Sequence, residues 1–291
     1  MNAEDGFSRS LADCKVAIVG LGLMGGSLAL ALRGHCSQML GVDHDLPTLQ
    51  LASQLAIFDQ LSQNPAEILL RADLIVLAVP VLKIISYLNS LPALHPSGAV
   101  VLDLGSTKKA IINAMQELPD RFDPIGCHPM CGKETSSLAN ADAVIFQGAP
   151  FVLTPMERTS PLARRLALEI CSVVGAQPVW IDAEVHDRWV AFTSHLPYLL
   201  ANALAASIPE EAALLAGSGF RSTARLAGSS IEMMRDILLT NQAPVRRALN
   251  QVRDRLNLLS ALLESSDPGA LEAFLIEGKR QYEFMLGDGK R

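Results

Sequence analysis

Residues 16–26 read V-A-I-V-G-L-G-L-M-G-G, an apolar run that enters a glycine-rich turn. The run predicts a strand, and residues 27–32 predict a helix. Gly20 permits a tight turn, Gly22 lets a pyrophosphate approach the backbone, and Gly25 lets the helix pack close to the strand. The N-terminus of that helix presents unpaired N–H groups to phosphates. The pattern therefore predicts a dinucleotide-binding site.

An acidic residue closes the second predicted strand. Asp43 ends the run Gly-Val-Asp, where a carboxylate can accept hydrogen bonds from both ribose hydroxyls. Its charge repels a 2′-phosphate, so the sequence favours NAD over NADP. The alternative is a glycine-rich turn beside a solvated Asp. In that case the strand, the helix and the acidic residue would stand in this order only by coincidence. The residues expected to contact the cofactor are Gly20, Gly22, Leu23, Met24, Gly25, Asp43, Val79 and Pro80.

Length and composition limit the class of protein. With 291 residues the chain is long for one core, so we expect two domains. It is 49% hydrophobic and 19% charged, which is typical of a globular protein. The net charge of −6 and the lack of a basic run argue against nucleic acid or an anionic membrane as partner. A negatively charged protein can still bind an anion locally, so the net charge does not exclude an acidic small-molecule substrate.

The sequence also predicts where the protein resides. No apolar run reaches the roughly 18–20 residues that cross a bilayer, and the polar residues 1–13 lack the apolar core of a signal peptide. The five cysteines lack paired spacing and read as reduced thiols. We therefore expect a cytoplasmic protein.

The first half of the chain alternates strand-like and helix-like segments, which predicts a parallel sheet with helices on both faces. The predicted strands are Lys15–Val19, Met39–Val42, Leu74–Val79, Val100–Leu102, Phe122–Gly126, Phe151–Leu153 and Gln177–Ile181. The predicted helices are Ser27–Leu32, Leu46–Leu55, Val81–Leu91, Thr107–Leu118 and Pro161–Val174.

After Asp182 only helical periodicity remains. The predicted helices are His186–Ser207, Glu210–Ala216, Ile231–Thr240, Pro244–Leu263 and Gly269–Leu286. We therefore predict a dinucleotide-binding domain over residues 1–183 and a smaller all-helical domain over residues 184–291. The apolar helical domain suggests dimerisation, although its apolar residues also suit a core of its own.

Ligands of open α/β sheets bind at the carboxyl ends of the strands. His128 follows one predicted strand, where it can take a proton from an alcohol as hydride leaves, or simply bond its own loop. Cys127 and Cys131 flank it, but no fourth metal ligand is evident, so no metal is expected. Ser106 follows another strand and suits either a substrate contact or the N-cap of a helix starting at Thr107. The adjacent Lys108 and Lys109 suggest solvated side chains.

Two further polar groups interrupt the helical half. His186 and His195 are nine positions apart, which places them on opposite faces of one continuous helix, so at most one should reach a given cleft. We favour His195 because Pro197 bends the helix there, although a core histidine is the alternative. Arg221 follows two glycines and can bind a carboxylate as a bidentate fork, or lie at the surface bonded to a carbonyl or a glutamate.

Five motifs in this order resemble the prephenate/arogenate dehydrogenase family of tyrosine biosynthesis. They are GLGLMGGS (20–27), DLGSTK (103–108), GCHPMCGKE (126–134), HDRWVAFTSHLPY (186–198) and GSGFRSTAR (217–225). The resemblance implies an α/β Rossmann domain followed by a smaller helical domain that forms a homodimer. It also implies NAD-dependent oxidative decarboxylation of prephenate to 4-hydroxyphenylpyruvate, or of arogenate to tyrosine.

The resemblance also implies roles for the site residues. His128 draws off the proton of the ring C4 hydroxyl, and Ser106 contacts the same hydroxyl. Arg221 pairs with a substrate carboxylate and His195 assists at the side-chain end. Glu134 orients the loop or Arg221.

Two positions depart from the family pattern, and both bear on recognition of the substrate side chain. Lys133 stands where many relatives have Thr, and Tyr198 stands where many have a second histidine. A 3-hydroxyacid dehydrogenase of the 6-phosphogluconate type is a rival, but it needs a lysine that Glu184–Ser207 lacks. A non-catalytic NAD sensor is a further alternative, and the presence of both His128 and Arg221 argues against it.

Overall fold

The computed structural model describes residues 9–133, 135 and 137–287. Its strands are β1 (Lys15–Val19), β2 (Gln38–Val42), β3 (Gln60–Ser62), β4 (Leu74–Leu77), β5 (Val100–Asp103), β6 (Asp123–Pro129), β7 (Pro150–Thr154) and β8 (Gln177–Trp180). Its helices in the sheet region are α1 (Leu23–Leu32), α2 (Leu46–Gln54), α3 (Pro65–Leu69), α4 (Val81–Leu94), α5 (Lys109–Gln116) and α6 (Pro161–Val173). Further along are α7 (Ala183–Val190), α8 (Leu196–Ser207), α9 (Ser218–Ala224), α10 (Ile231–Thr240), α11 (Gln242–Ser265) and α12 (Pro268–Met285).

The eight strands form one sheet in the order β3-β2-β1-β4-β5-β6-β7-β8. Successive residues of β1 point to opposite faces: Val16 and Ile18 join one apolar core, and Ala17 and Val19 join the other. Both faces are therefore buried, which explains why this strand is a continuous apolar run. From β1 the strand order runs to β2 and β3 on one side, and from β4 onward it continues on the other side of β1. Open α/β sheets bind ligands at this switch point between β1 and β4.

The prediction of an all-parallel sheet is wrong for its last two strands. β1 to β6 run parallel, but β7 pairs antiparallel with β6, and β8 runs parallel to β7. The reason lies in the connection: in the described part of residues 130–149 there is only a short 3₁₀ turn at Leu138–Asn140. Without a crossover helix the chain returns beside β6 in the opposite direction.

Several predicted boundaries shift. α1 begins at Leu23 rather than Ser27, and α5 begins at Lys109 rather than Thr107. β6 continues to Pro129, so His128 lies inside the strand instead of in a loop after Gly126. The short elements β3 and α3 were not predicted.

The predicted single helix from His186 to Ser207 is interrupted. Between α7 and α8 lies a π-helical segment, Ala191–His195. A π-turn closes an i→i+5 hydrogen bond in place of i→i+4, so it takes up more residues and shifts the phase of the helix that follows. This phase shift changes which side chains share a face.

Contacts divide the chain into two compact units, Met1–Gln242 and Ala243–Arg291. This division differs from the boundary predicted after residue 183, which remains a prediction. In the second unit, Arg255 of α11 forms an ion pair with Glu277 of α12 and lies 5.4 Å from the ring centre of Phe274. No helix in the described ranges has the length and apolarity needed to span a membrane.

Candidate active site

The glycine-rich turn has the shape of a phosphate cradle. Gly20 has φ +90°, and a Cβ there would lie 2.5 Å from Val79 Cγ1. A Cβ on Gly25 would lie 1.9 Å from the carbonyl oxygen of Gly20, so only glycine fits the close approach of α1 to the turn. A Cβ on Gly22 would meet no heavy atom within 4 Å. Open space therefore lies at the N-cap of α1, where free N–H groups can receive a pyrophosphate.

Asp43 lies directly beside this turn, just past the end of β2. One carboxylate oxygen accepts a hydrogen bond from the backbone N–H of Leu21 at 2.7 Å, and the other accepts from Asp45 N at 2.9 Å. These bonds fix the carboxylate next to the cradle, as ribose recognition requires. Pro80 is the N-cap of α4, and the half-buried Val79 precedes it against the turn. Their contacts with a bound cofactor remain predictions.

The first turn of α1 supplies the two remaining cofactor candidates. Leu23 is buried, whereas Met24 is half-buried and packs against the core that contains Val16 and Ile18. Both follow the open position at Gly22, so their backbone N–H groups lie at the free end of the helix.

His128 is the penultimate residue of β6, at the same carboxyl edge of the sheet. Its half-buried ring stands 2.9 Å, Nδ1 to Nε2, from the ring of His186, in a T-shaped arrangement. Burial lowers the pKa of His128 well below its ordinary value, and the nearby ammonium of Lys108 lowers it further. The imidazole is therefore neutral at neutral pH and able to accept a proton.

The helical histidine that contacts His128 is His186, whereas the sequence favoured His195. His186 contacts His128 directly, while Asn241 Nδ2 lies 3.2 Å from His195 Nδ1 and donates to the carbonyl of Asp187 at 2.7 Å. The π-helical segment between the histidines supplies the phase shift that brings both to one network. Sequence reasoning missed His186 because it assumed a regular helix.

His195 is almost completely buried, with 1% exposure. Burial lowers its pKa to about 4, so it is neutral at neutral pH. Because Nδ1 faces the Asn241 donor, the ring proton belongs on Nε2. In the part of the chain that the structure describes, this buried Nε2 has no hydrogen-bond partner. A buried donor without a partner is costly, and a substrate oxygen is one group that would satisfy it.

Lys108 is fully buried, so the expectation of a solvated side chain is wrong. Its ammonium forms an ion pair with Asp103 and donates to the carbonyl oxygen of Cys127 at 2.5 Å. The second Asp103 oxygen accepts from Cys127 N at 2.9 Å, so the pair ties the end of β5 to β6 next to His128. Lys109 does behave as a surface residue, bonded to Glu184 at 2.6 Å.

Ser106 lies half-buried in the turn after β5, but it does not cap a helix. α5 begins at Lys109, and the N–H groups of Lys108 and Lys109 donate to the carboxylate of Asp187 at 2.6 and 2.9 Å. The distant Asp187 therefore takes the capping role that local sequence assigned to Ser106. The predicted hydroxyl contact of Ser106 remains a prediction.

Among the remaining substrate candidates, the hydrogen bonds of Arg221 and Lys133 within the described residues go to partners other than His128. Arg221 is exposed on α9, where its Nε donates to Ala216 O at 3.2 Å, and none of its hydrogen bonds within the described chain reaches the histidines. Lys133 is exposed and pairs with Asp142 at 3.1 Å. Glu134 lies outside the described residues. The described chain contains no group of three or more His, Cys, Asp or Glu side chains placed to hold a metal.

A doubly covered sheet, a glycine cradle at its reversal point and a neutral histidine at the same edge are features of a dinucleotide-dependent dehydrogenase. Comparison with known families narrows the class. The prephenate dehydrogenase nucleotide-binding domain matches residues 28–179, and the prephenate dehydrogenase dimerization domain matches residues 182–277. The chain belongs to the prephenate dehydrogenase family and is an oxidoreductase.

Individual relatives agree with this assignment. A prephenate dehydrogenase of Lactococcus lactis is 30% identical over 91% of this chain and 76% of its own length. Prephenate dehydrogenase of Aquifex aeolicus, solved with hydroxyphenyl propionate and NAD+, is 29% identical with a TM-score of 0.86, covering 95% of this chain and all of that one. Synechocystis arogenate dehydrogenase is also 29% identical, with a TM-score of 0.79, covering 93% of this chain and 99% of that one.

Proposed function

We propose that this chain is an NAD-dependent prephenate dehydrogenase that converts prephenate to 4-hydroxyphenylpyruvate. The observation that carries the proposal is a neutral His128 at the carboxyl edge of the sheet that holds the glycine cradle. The names of its relatives and the aromatic acid and NAD+ bound to the Aquifex enzyme support the same assignment.

His128 acts as the general base. Bound NAD supplies the acceptor for the hydride that leaves ring C4 of the substrate. As it leaves, Nε2 of His128 takes the proton of the C4 hydroxyl, and a positioned base of this kind is typically worth ~10²–10⁴-fold in rate. Loss of carbon dioxide then returns an electron pair through the ring to the C4 oxygen. That oxygen takes the proton back from the imidazolium, so the ring becomes aromatic with no net release of a proton.

Preference for NAD rests on Asp43. Its carboxylate is held against the glycine turn by two backbone N–H groups, where it would face the ribose hydroxyls of NAD. The negative charge of Asp43 would repel the 2′-phosphate of NADP at that place.

Recognition of the substrate falls to several groups around the base. Ser106 would contact the C4 hydroxyl, and the unsatisfied Nε2 of His195 would donate to the side-chain end. Arg221 would pair with a substrate carboxylate. Glu134 would orient the loop or Arg221, and Lys133 would take part in recognition of the substrate side chain. Arg221→Ala should then raise KM with little change in kcat, and an unchanged KM would remove Arg221 from this role.

The protein would act as a homodimer through its helical region. Three large apolar side chains there are strongly exposed: Leu214 at 94%, Leu215 at 88% and Ile231 at 78%. Exposed apolar side chains of this size are candidates for such an interface. The matched dimerization-domain family supports a second copy of the chain as the partner.

The test is a four-way assay of the purified chain with prephenate or arogenate and NAD or NADP, read by absorbance of the reduced nicotinamide. We expect the highest kcat/KM with prephenate and NAD. A higher value with arogenate would instead select arogenate dehydrogenase, the rival favoured by the Synechocystis structure. His128→Asn should lower kcat by ~10²–10⁴-fold, and His35→Asn, at an exposed histidine, is the matched control.

A further inference from the structure

A continuous chain of hydrogen bonds leads away from His128 into the protein. His128 Nδ1 is 2.9 Å from His186 Nε2, and His186 Nδ1 is 2.8 Å from Asp187 Oδ1. His186 is 1% exposed and Asp187 is 2% exposed, so water does not compete for these bonds.

The position of Asp187 fixes the direction of the chain. Its carboxylate accepts the N–H groups of Lys108 and Lys109 at the N-terminus of α5, where the helix dipole favours a negative charge. A carboxylate is an acceptor only, so the third donor it meets, His186 Nδ1, carries a proton. His186 Nε2 then presents a lone pair to His128.

The same logic sets the tautomer of His128. Because it faces a lone pair on His186, Nδ1 of His128 carries the proton, and Nε2 is left free. Which nitrogen of a histidine is protonated is commonly set by the bond that the other nitrogen makes. The free Nε2 is the atom that has to take a proton from the substrate.

We propose that Asp187 and His186 are positioning residues that hold His128 in the tautomer with an unprotonated Nε2 and stabilise its imidazolium. This proposal rests on the proposed function of His128 as base. When the substrate O–H bond breaks and the Nε2–H bond forms, the positive charge on His128 is shared through Nδ1–H with His186 and balanced by the Asp187 carboxylate. The proton on Nδ1 stays in place, and the proton on Nε2 later returns to the substrate oxygen.

Asp187→Asn separates this role from a structural one. An asparagine that places its carbonyl oxygen where Oδ2 lies keeps the bond from Lys109 N. Its NH₂ group, where Oδ1 lies, donates to His186 Nδ1 and gives up the bond from Lys108 N. His186 would then carry its proton on Nε2 and donate to His128 Nδ1, which moves the His128 proton to Nε2. The catalytic nitrogen would become a donor, while one of the two bonds that cap α5 is kept.

The first readout is the ¹⁵N NMR spectrum of the histidine rings without substrate, recorded at about pH 8, above the ordinary histidine pKa of about 6.5. The His128 signals are assigned by their loss in His128→Asn. In the wild type we expect protonated Nδ1 and unprotonated Nε2, and in Asp187→Asn the reverse. A His128 tautomer that is the same in both proteins overturns the proposal. This readout does not depend on which substrate the enzyme uses.

The second readout is kinetic. Asp187→Asn should lower kcat by ~10²–10⁴-fold with little change in KM, while the Kd for NADH stays within about twofold. If the NMR result holds but neither protein turns over prephenate or arogenate, the proposed function fails and the tautomer assignment stands. A normal kcat in Asp187→Asn contradicts the positioning role.

A second pair of variants covers the case in which Asp187→Asn does not fold. His186→Gln keeps a side-chain oxygen that can accept from His128 Nδ1, and His186→Leu keeps similar bulk without an acceptor. We expect His186→Gln to retain at least tenfold more activity than His186→Leu, and a fixed Nδ1–H signal on His128 only in the glutamine variant. Equal activities and equal ring spectra in the two variants overturn the proposal.

Discussion

Replacement of the buried Lys108 by methionine tests the ion pair beneath the catalytic histidine. Methionine keeps an unbranched side chain of similar length but removes the ammonium group. The Asp103 carboxylate would keep its bonds from Gly105 N and Cys127 N, at 2.8 and 2.9 Å, but would lose its only charged partner in the described chain. Removing one partner of a buried pair typically costs about 3–5 kcal/mol because an uncompensated charge remains.

The chain itself offers a matched control for this substitution. Lys109 is the next residue and forms an ion pair with Glu184. The side chain of Lys109 is 56% exposed and that of Glu184 is 69% exposed. Exposed pairs contribute about 0–1 kcal/mol, so Lys109→Met should be close to neutral. The free energy of unfolding is measured by urea titration at one fixed protein concentration, since dimerisation would add to stability.

A double-mutant cycle completes the argument. Asp103→Asn removes the charge that Lys108→Met leaves unpaired, so the double variant should be more stable than the sum of the two single losses predicts. The interaction free energy is expected to be about 1–3 kcal/mol. Two outcomes would refute the assignment of Lys108 as a desolvated partner of Asp103. One is an equal loss in the free energy of unfolding for Lys108→Met and Lys109→Met. The other is a double variant whose loss equals the sum of the two single losses.

Three further predictions concern the cofactor cradle and the buried histidine. Gly25→Ala should destabilise the fold by roughly 1–3 kcal/mol because its Cβ would lie 1.9 Å from Gly20 O. Gly22→Ala, whose Cβ would meet no heavy atom within 4 Å, should leave the melting temperature unchanged and raise the Kd for NAD. A Gly22→Ala protein that binds NAD normally would contradict the assignment of the glycine turn as the phosphate cradle. Since burial lowers the pKa of His195 from 6.5 to about 4, the unfolded state binds the proton first, and the free energy of unfolding should fall by up to about 1.4 kcal/mol per pH unit as the pH drops from 6.5 towards 4. Urea titrations should show a shallower fall for His195→Gln, and parallel curves would count against this explanation. Asp43→Ser should raise the NADP-to-NAD ratio of kcat/KM by roughly tenfold or more, equivalent to about 1.4 kcal/mol, and a wild-type preference for NADP would show the interpretation of Asp43 to be wrong.

Local sequence patterns predicted much of the sheet. β1 has the predicted bounds Lys15–Val19, and the glycine turn, Asp43 and the strands β4 to β6 follow in the predicted order. These features depend on short-range rules of apolar periodicity and glycine geometry, which a sequence displays directly. The direction of β7 was mispredicted because direction depends on the path of the connecting segment, which residue periodicity does not record.

The candidate site was predicted in part, and the failures have a common cause. His128 was found because it lies near the end of an apolar strand, at the edge of the sheet where ligands bind. Lys108 and His186 were misjudged because their roles depend on partners far along the chain: the lysine bonds to Cys127 of β6, and the histidine bonds to His128. A lysine placed five positions after a strand-terminal Asp103 is the one local signal of the buried pair.

The π-helical segment Ala191–His195 sets the orientation of the side chains that follow it relative to those of α7. Each residue of a regular α-helix advances the side chains by about 100°. Deleting a single residue here would restore regular α-helical winding and turn every later side chain of α8, while His186 and Asp187 upstream kept their places. Shortening this helix by one residue would thus separate the two histidines without changing either of them, which makes the length of the segment as much a part of the active site as the side chains it carries.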